Sequence, residues 1–389
     1  MNTCLLKLMI ALACLAAVRA HAGNTVTVNP DQTISINGTP FFPISVYLQS
    51  HWAGAKELGA NVASRPFCVN TDAIRKAERK RLYLHYTAGP GCDEENAEAI
   101  RRRQSRAFTA SIEDARDSDF ILGYGLPDEP VSANDLTTSD TEWAYGIFKS
   151  ADPAHPVFLT EYASDISAYR DSADIFLNDE YPFNNDPDPL YDVKSKLLRM
   201  KAQVSPKPVW LIIQTGSQFG MPTNRQIRAE TYLSIALGST GLIFYSYDVE
   251  DAGGVHNIMK DGDRRFMTDL VSELKDFSPV FLGRRNPGLV YQSAHIDAIL
   301  RDHDPSTYLI AVNKSAKPQR ISFSLPGFGH ALATIVGNPD AGSSRAGQQL
   351  SLDSAGNLLD TLQGLEAVVY EIDRTHSFGG SALQAPLAH

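Results

Sequence analysis

The sequence predicts an α/β fold, a (β/α)8 or TIM barrel followed by a C-terminal antiparallel β-sandwich domain, and three observations carry that expectation. Short β-rich runs, most of them continuously apolar, recur across residues 42–247 as parallel strands buried on both faces do. The spacers between them are long enough for crossover helices. From about residue 287 the texture changes to short alternating strands broken by turn residues.

In chain order, residues 1–22 read as a secretory signal peptide. Lys7 is followed by an apolar run over 8–18 and by the small-x-small site Ala20-His21-Ala22. The apolar run is too short to span a bilayer, no later segment approaches a membrane helix, and Ala11-Leu12-Ala13 before Cys14 has Ala11 where the first lipobox position usually carries leucine. The expected location is therefore secreted or periplasmic. Residues 25–36 with the Asn37-Gly38 turn read as a lead-in hairpin. Strands are expected at 42–47, 60–65, 82–86, 120–125, 157–162, 175–178, 209–214 and 242–247. Helices are expected over 224–237 and after the eighth strand, where Phe266, Leu270, Val271, Leu274 and Phe277 recur at helical spacing. The expected domains are a barrel with its hairpin over 23–282, a sandwich over 283–373 and a disordered tail over 374–389. Sandwich strands are expected at 298–300, 308–312, 320–324, 333–336 and 367–372.

A net charge of −10 and a pI near 5.5 lack the basic footprint that nucleic acid or an anionic membrane surface requires. A hydrophobic fraction of 43% supports a sizeable core. Cys4 and Cys14 leave with the signal peptide, so Cys68 and Cys92 are the remaining pair. They follow neighbouring strands, and in an oxidising compartment they are expected to form a disulfide.

Active sites of such barrels lie at the C-terminal ends of the strands. The residues there are Tyr47, His51 and Trp52 after the first strand, Arg65 after the second, and His85 and Tyr86 at the third. Next come Asp128-Glu129-Pro130, Glu161-Tyr162, Asp179-Glu180-Tyr181-Pro182 and Gln214, and finally Tyr245, Tyr247 and Asp248 after the eighth. Aromatic rings stack on the C–H faces of sugars, and carboxylates handle protons and oxocarbenium charge. Tyr47, Trp52, Arg65, His85, Tyr86, Asp128, Tyr181, Gln214, Tyr245 and Tyr247 are thus the expected substrate-binding residues.

The opening Ile36-Asn37-Gly38-Thr39-Pro40-Phe41-Phe42-Pro43-Ile44 resembles that of many clan A glycoside hydrolases, and Asp128-Glu129-Pro130 resembles the Asn-Glu-Pro that ends their fourth strand. Tyr308-Leu309-Ile310-Ala311-Val312-Asn313 and Val368-Val369-Tyr370-Glu371-Ile372 are similar to parts of the sandwich that follows such barrels. The resemblance implies Glu129 as general acid/base and Arg65 as the arginine carried after strand two. The chain departs from the pattern at strand seven, where Gln214 stands in place of the nucleophilic glutamate and Glu230, the next carboxylate, falls in the following helix. The second carboxylate is then expected to be Asp179. Its Asp-x-Tyr-Pro is similar to that of barrels that also carry glutamine after strand seven. Glu180, Glu161 and Asp248 are the alternatives.

No nucleophile elbow, zincin motif, P-loop or dinucleotide fingerprint is present, so no cofactor is expected. The histidines lack ligand spacing, and the acidic loops at 184–188 and 248–251 read as solvated rather than metal-binding. The expected activity is hydrolysis of a neutral oligo- or polysaccharide. The alternative is a non-catalytic carbohydrate-binding barrel that has lost its nucleophile.

Overall fold

A computed structural model describes residues 23–48, 50–65, 71–183, 189–216, 221–247, 249–251, 254–256, 261–285, 291–337 and 345–373. Residues 1–22, expected to be a signal peptide, together with Cys68, Asp248, the 184–188 loop and residues 374–389, lie outside the described residues, as does the side chain of Arg65.

The chain enters through a three-stranded antiparallel sheet, β1 (Val26–Val28), β2 (Ile34–Ile36) and β3 (Thr39–Phe41). Asn37 and Gly38 turn β2 into β3 with φ of 51° and 78°, the left-handed pair that a two-residue hairpin demands. The expected hairpin thus carries one further strand. Eight parallel strands then close a barrel: β4 (Ile44–Tyr47), β5 (Val62–Arg65), β6 (Tyr83–Thr87), β7 (Ile121–Gly125), β8 (Val157–Glu161), β9 (Ile175–Asp179), β10 (Val209–Gln214) and β11 (Leu242–Tyr245). Neighbours pair in sequence order, and β10 with β11 and β11 with β4 complete the ring.

Side chains fill the interior. Val62, Leu122, Phe158, Ile175, Leu177, Trp210, Ile212 and Ile243 pack together, and Val26, Ile34 and Ile36 of the small sheet join the same cluster. Val26 N–H donates to Ala154 O and Asn24 Nδ2 to Ile121 O, both at the starts of barrel strands, so the sheet plugs the N-terminal end. Gly241 is required here, because a Cβ would stand 2.6 Å from the Trp210 ring. With one end plugged, the C-terminal end is the face left for chemistry.

Helices ring the barrel with one departure from expectation. Between β8 and β9 the crossover is only a 3-10 turn, Ser167–Ser172. Asp165 Oδ1 accepts from both the N–H and the hydroxyl of Ser167, so a local polar turn replaces a helix in this short spacer.

The helix Asn224–Ala236 is buried on all sides from Ile227 onward. One side faces the barrel, and Ile299, Ile310, Val312, Ala367 and Val369 of the C-terminal sheet join the same core. That sheet runs in the order Arg284–Arg285, Ile296–His303, Ser306–Asn313, Ala367–Asp373, Leu332–Val336, Gln349–Ser351, with Tyr291–Gln292 beside Ile296–His303. Its other face is covered by a ribbon of Gln319–Ser324 and Asn357–Leu362, with Phe323, Leu325, Leu358 and Leu362 in a second core. Four of these strands, Arg284–Arg285, Tyr291–Gln292, Gln349–Ser351 and Asn357–Leu362, escaped the sequence reading, being short or weakly alternating. Fully buried Lys314 and the barrel helix's Lys194 both reach Asp297, at 2.5 and 2.6 Å, tying sheet to barrel.

Candidate active site

The loop after β7 delivers Asp128 and Glu129. Glu129 adopts φ of 43°, a left-handed conformation that costs about 1 kcal/mol for a residue with a Cβ. A tight turn holds it there: Glu129 O accepts from Ala133 N (2.9 Å) and Asn134 N (3.2 Å), and Pro130 O from Leu136 N (2.8 Å). Asn134 Nδ2 donates to Asp128 O at 2.7 Å.

Across the opening, Asp179 ends β9 and is 6% exposed. Its carboxyl interacts with the Tyr181 hydroxyl and with the Glu129 carboxyl, and its Oδ1 has no hydrogen-bond partner. Two buried carboxylates that repel one another ionise together only at a cost, so the pair holds on to a proton. Burial first, then the charges of Asp128 and Glu161, push the Glu129 carboxyl up to about 7, while the contact with Asp179 pulls the other way. Burial, then Asp128, raises Asp179 well above the usual carboxylate range. The two titrate as a unit.

Three tyrosines cluster at this end, Tyr181 and Tyr245 half-buried at the rim and Tyr47, 2% exposed, packed in the barrel core. Tyr245 stands between Tyr47 (centroids 5.3 Å, edge-on) and Tyr181 (5.2 Å, tilted). The Tyr47 hydroxyl hydrogen-bonds the Thr160 side chain and is raised by burial and then by Asp128 and Asp179, which places both acids around it. Tyr47, Asp128, Glu129, Asp179, Tyr181 and Tyr245 therefore converge from β4, β7, β9 and β11 on one opening.

Other expected site residues have different duties. Tyr86 points away from the barrel interior: it meets Tyr124 edge-on at 5.6 Å, and its hydroxyl donates to Ser111 O at 3.2 Å in the helix layer. It is a packing residue, because alternation along β6 turns His85 inward and Tyr86 outward. Trp52 is 3% exposed and belongs to the core rather than to a stacking platform. Tyr247 is 5% exposed, and its hydroxyl fills the space beside Gly54, where a Cβ would sit 1.8 Å away. His85 lies inside the barrel against Phe158 (4.3 Å) and meets Ser64 Oγ at 3.1 Å. Burial lowers it to about 3, so it is a neutral group near neutral pH and not a proton shuttle.

Gln214 is 1% exposed. Its Oε1 accepts from Phe183 N at 3.0 Å, and its own N–H donates to Glu230 Oε2 at 3.2 Å. The glutamine thus pins the loop after β9. Glu230 lies fully buried behind it, raised well above the usual range by desolvation. Glu180 pairs with Lys196 at 2.6 Å. Glu161 is fully buried under five donors, described below. Among the described residues no cluster of three or more His, Cys, Asp or Glu is arranged to hold a metal ion. No helix among the described residues is long and apolar enough to cross a membrane. Sequence reasoning missed Thr160, Ser64 and the Ser132–Glu161 contact, because nothing local to those residues signals their partners.

No protein-family model matches the chain, and no curated protein matches it by sequence. Solved structures do. The α-amylase of Geobacillus thermoleovorans, complexed with acarbose, superposes with a TM-score of 0.57 at 12% identity, over 83% of this chain and 90% of that one. The shared feature is the (β/α)8 barrel fold. Amy13B of Eubacterium rectale gives 0.53 at 8% identity over 90% and 97% of the two chains. A cyclomaltodextrinase gives 0.54 at 12% identity over 85% of this chain and 74% of its own. At such identities the likeness is one of fold: a closed parallel barrel with an antiparallel C-terminal domain.

Proposed function

We propose that the protein is an exported glycoside hydrolase acting on a neutral oligo- or polysaccharide, with Glu129 as general acid/base and Asp179 as the second carboxylate. The observation that carries this reading is the interacting Glu129–Asp179 carboxyl pair at the open end of the barrel, set among Tyr47, Tyr181 and Tyr245. A carboxyl poised near 7 is protonated often enough near neutral pH to deliver a proton to a glycosidic oxygen. In this reading the shared proton rests on Glu129 when substrate is bound, which leaves Asp179 ionised as the nucleophile. The half-buried rings of Tyr181 and Tyr245 supply faces for the sugar, with Tyr47 packed against Tyr245. The amylase and cyclomaltodextrinase relatives in fold make maltooligosaccharides the first glycans to try.

Incubation with a panel of neutral glycans should release new reducing ends. Binding without release over long incubation would instead favour a carbohydrate-binding barrel, the reading that Gln214 at the end of β10 keeps in play. Export goes with a Cys68–Cys92 bridge in this reading. Thiol titration of the exported protein without reductant should find neither cysteine free, and two reactive thiols would refute the bridge.

A further inference from the structure

We propose that Glu161 is the positioning residue of this site, a buried anion whose hydrogen bonds fix the turn that aims Glu129; the inference rests on the acid/base reading of Glu129. Glu161 ends β8, between the strands that carry Glu129 and Asp179, and is fully buried. Its Oε2 accepts from Val131 N (2.9 Å) and Ser132 N (3.1 Å). Its Oε1 accepts from Ser132 Oγ (2.5 Å), Tyr162 N (2.9 Å) and Ala163 N (3.1 Å). Both oxygens act only as acceptors, which is the ionised form, and the five donors replace the water the carboxylate has lost.

Two consequences follow for Glu129. Residues 131 and 132 follow it directly, so its left-handed backbone is held from one side by the bonds within the 129–136 turn and from the other by Glu161. Tyr169, on the 3-10 turn, adds a bond to Leu136 O at 3.0 Å and also faces Glu161. Secondly, the fixed charge raises Glu129 alongside burial and Asp128, while Asp179 opposes them; among the described residues these are the titratable groups that face it. A sugar site needs its acid both aimed and protonated, and one buried carboxylate contributes to each.

The test is Glu161→Gln in the full-length protein. The amide keeps the size but presents donors to backbone N–H groups and carries no charge. A folded variant should lose on the order of 10- to 100-fold in kcat/KM, the scale of a misplaced catalytic group. The alkaline limb of its pH profile should move to lower pH, because Glu129 then gives up its proton more readily. A carbon-13 titration of the Glu129 carboxyl should move the same way, and this readout does not depend on hydrolysis. If the wild type cleaves no glycan, the acid/base reading fails while the titration still decides the positioning. Ser132→Ala keeps the charge and removes one bond. It should lose a few-fold in rate with the limb in place, and it decides the matter if Glu161→Gln does not fold. A folded Glu161→Gln with kcat/KM within about twofold of wild type and an unmoved Glu129 titration would overturn the proposal, as would Ser132→Ala at the wild-type rate where it alone can be tested.

Discussion

Glu129→Gln is expected to lose about 10²–10⁴-fold in turnover of an unactivated glycan while binding it nearly as well as wild type. The amide preserves the shape and one acceptor but has no proton to give. The same variant should be more stable than wild type in alkaline solution, and the sign follows from the direction of the shift. The Glu129 carboxyl is raised from 4.5 to about 7 in the folded protein, so folding favours its protonated form. Below pH 4.5 both states are protonated and the variant gains nothing. Between 4.5 and 7 the unfolded chain gives up this proton while the folded protein, with the acid half-buried beside Asp128 and Glu161, still holds it, so wild type progressively loses stability, and above 7 the full penalty is present. Glu129 keeps some contact with solvent, which reduces that penalty to roughly 1–2 kcal/mol. At pH 8 the melting temperature of Glu129→Gln should rise by a few degrees, and at pH 4 it should match wild type. A variant equally stable at both pH values would show that Glu129 is not perturbed.

Asp179→Asn should be at least as damaging, at about 10³-fold or more, because removing a nucleophile removes the covalent route entirely. The substitution is close to isosteric and can still accept from Tyr181, so the rim should remain assembled. Steady-state assays on the same glycan, with circular dichroism as a check on folding, measure the effect. Wild-type rates from Asp179→Asn would pass the role to Asp128, the other acid facing Tyr47 and Glu129, since Glu180 is engaged by Lys196 and Glu161 by five donors.

The barrel was readable because each strand is a run buried on both faces, and Asp128, Glu129, Asp179, Tyr181, Tyr47 and Tyr245 are legible as polar residues at or just past the ends of those runs. Facing direction was harder to read. A tyrosine that ends a strand looks alike in sequence whether it faces the opening, as Tyr245 does, or the helices, as Tyr86 does. Trp52 and Tyr247 were chosen for being aromatic near a strand end, yet the space beside Gly54 and the core under the helix Trp52–Leu58 absorb them. The part played by Glu161 was invisible for another reason. Two of its donors, Val131 and Ser132, lie about thirty residues upstream, and only the β7–β8 pairing brings them to it.

The most direct measurement compares wild type with Glu129→Gln on two substrates, an unactivated maltooligosaccharide and the matching glycoside of a good leaving group such as dinitrophenol. A leaving group that departs without protonation does not need the acid. The account predicts that wild type cleaves both, and that the variant loses at least about 10²-fold on the oligosaccharide and far less on the aryl glycoside. Equal losses on both, or none on the oligosaccharide, would contradict Glu129 as the acid.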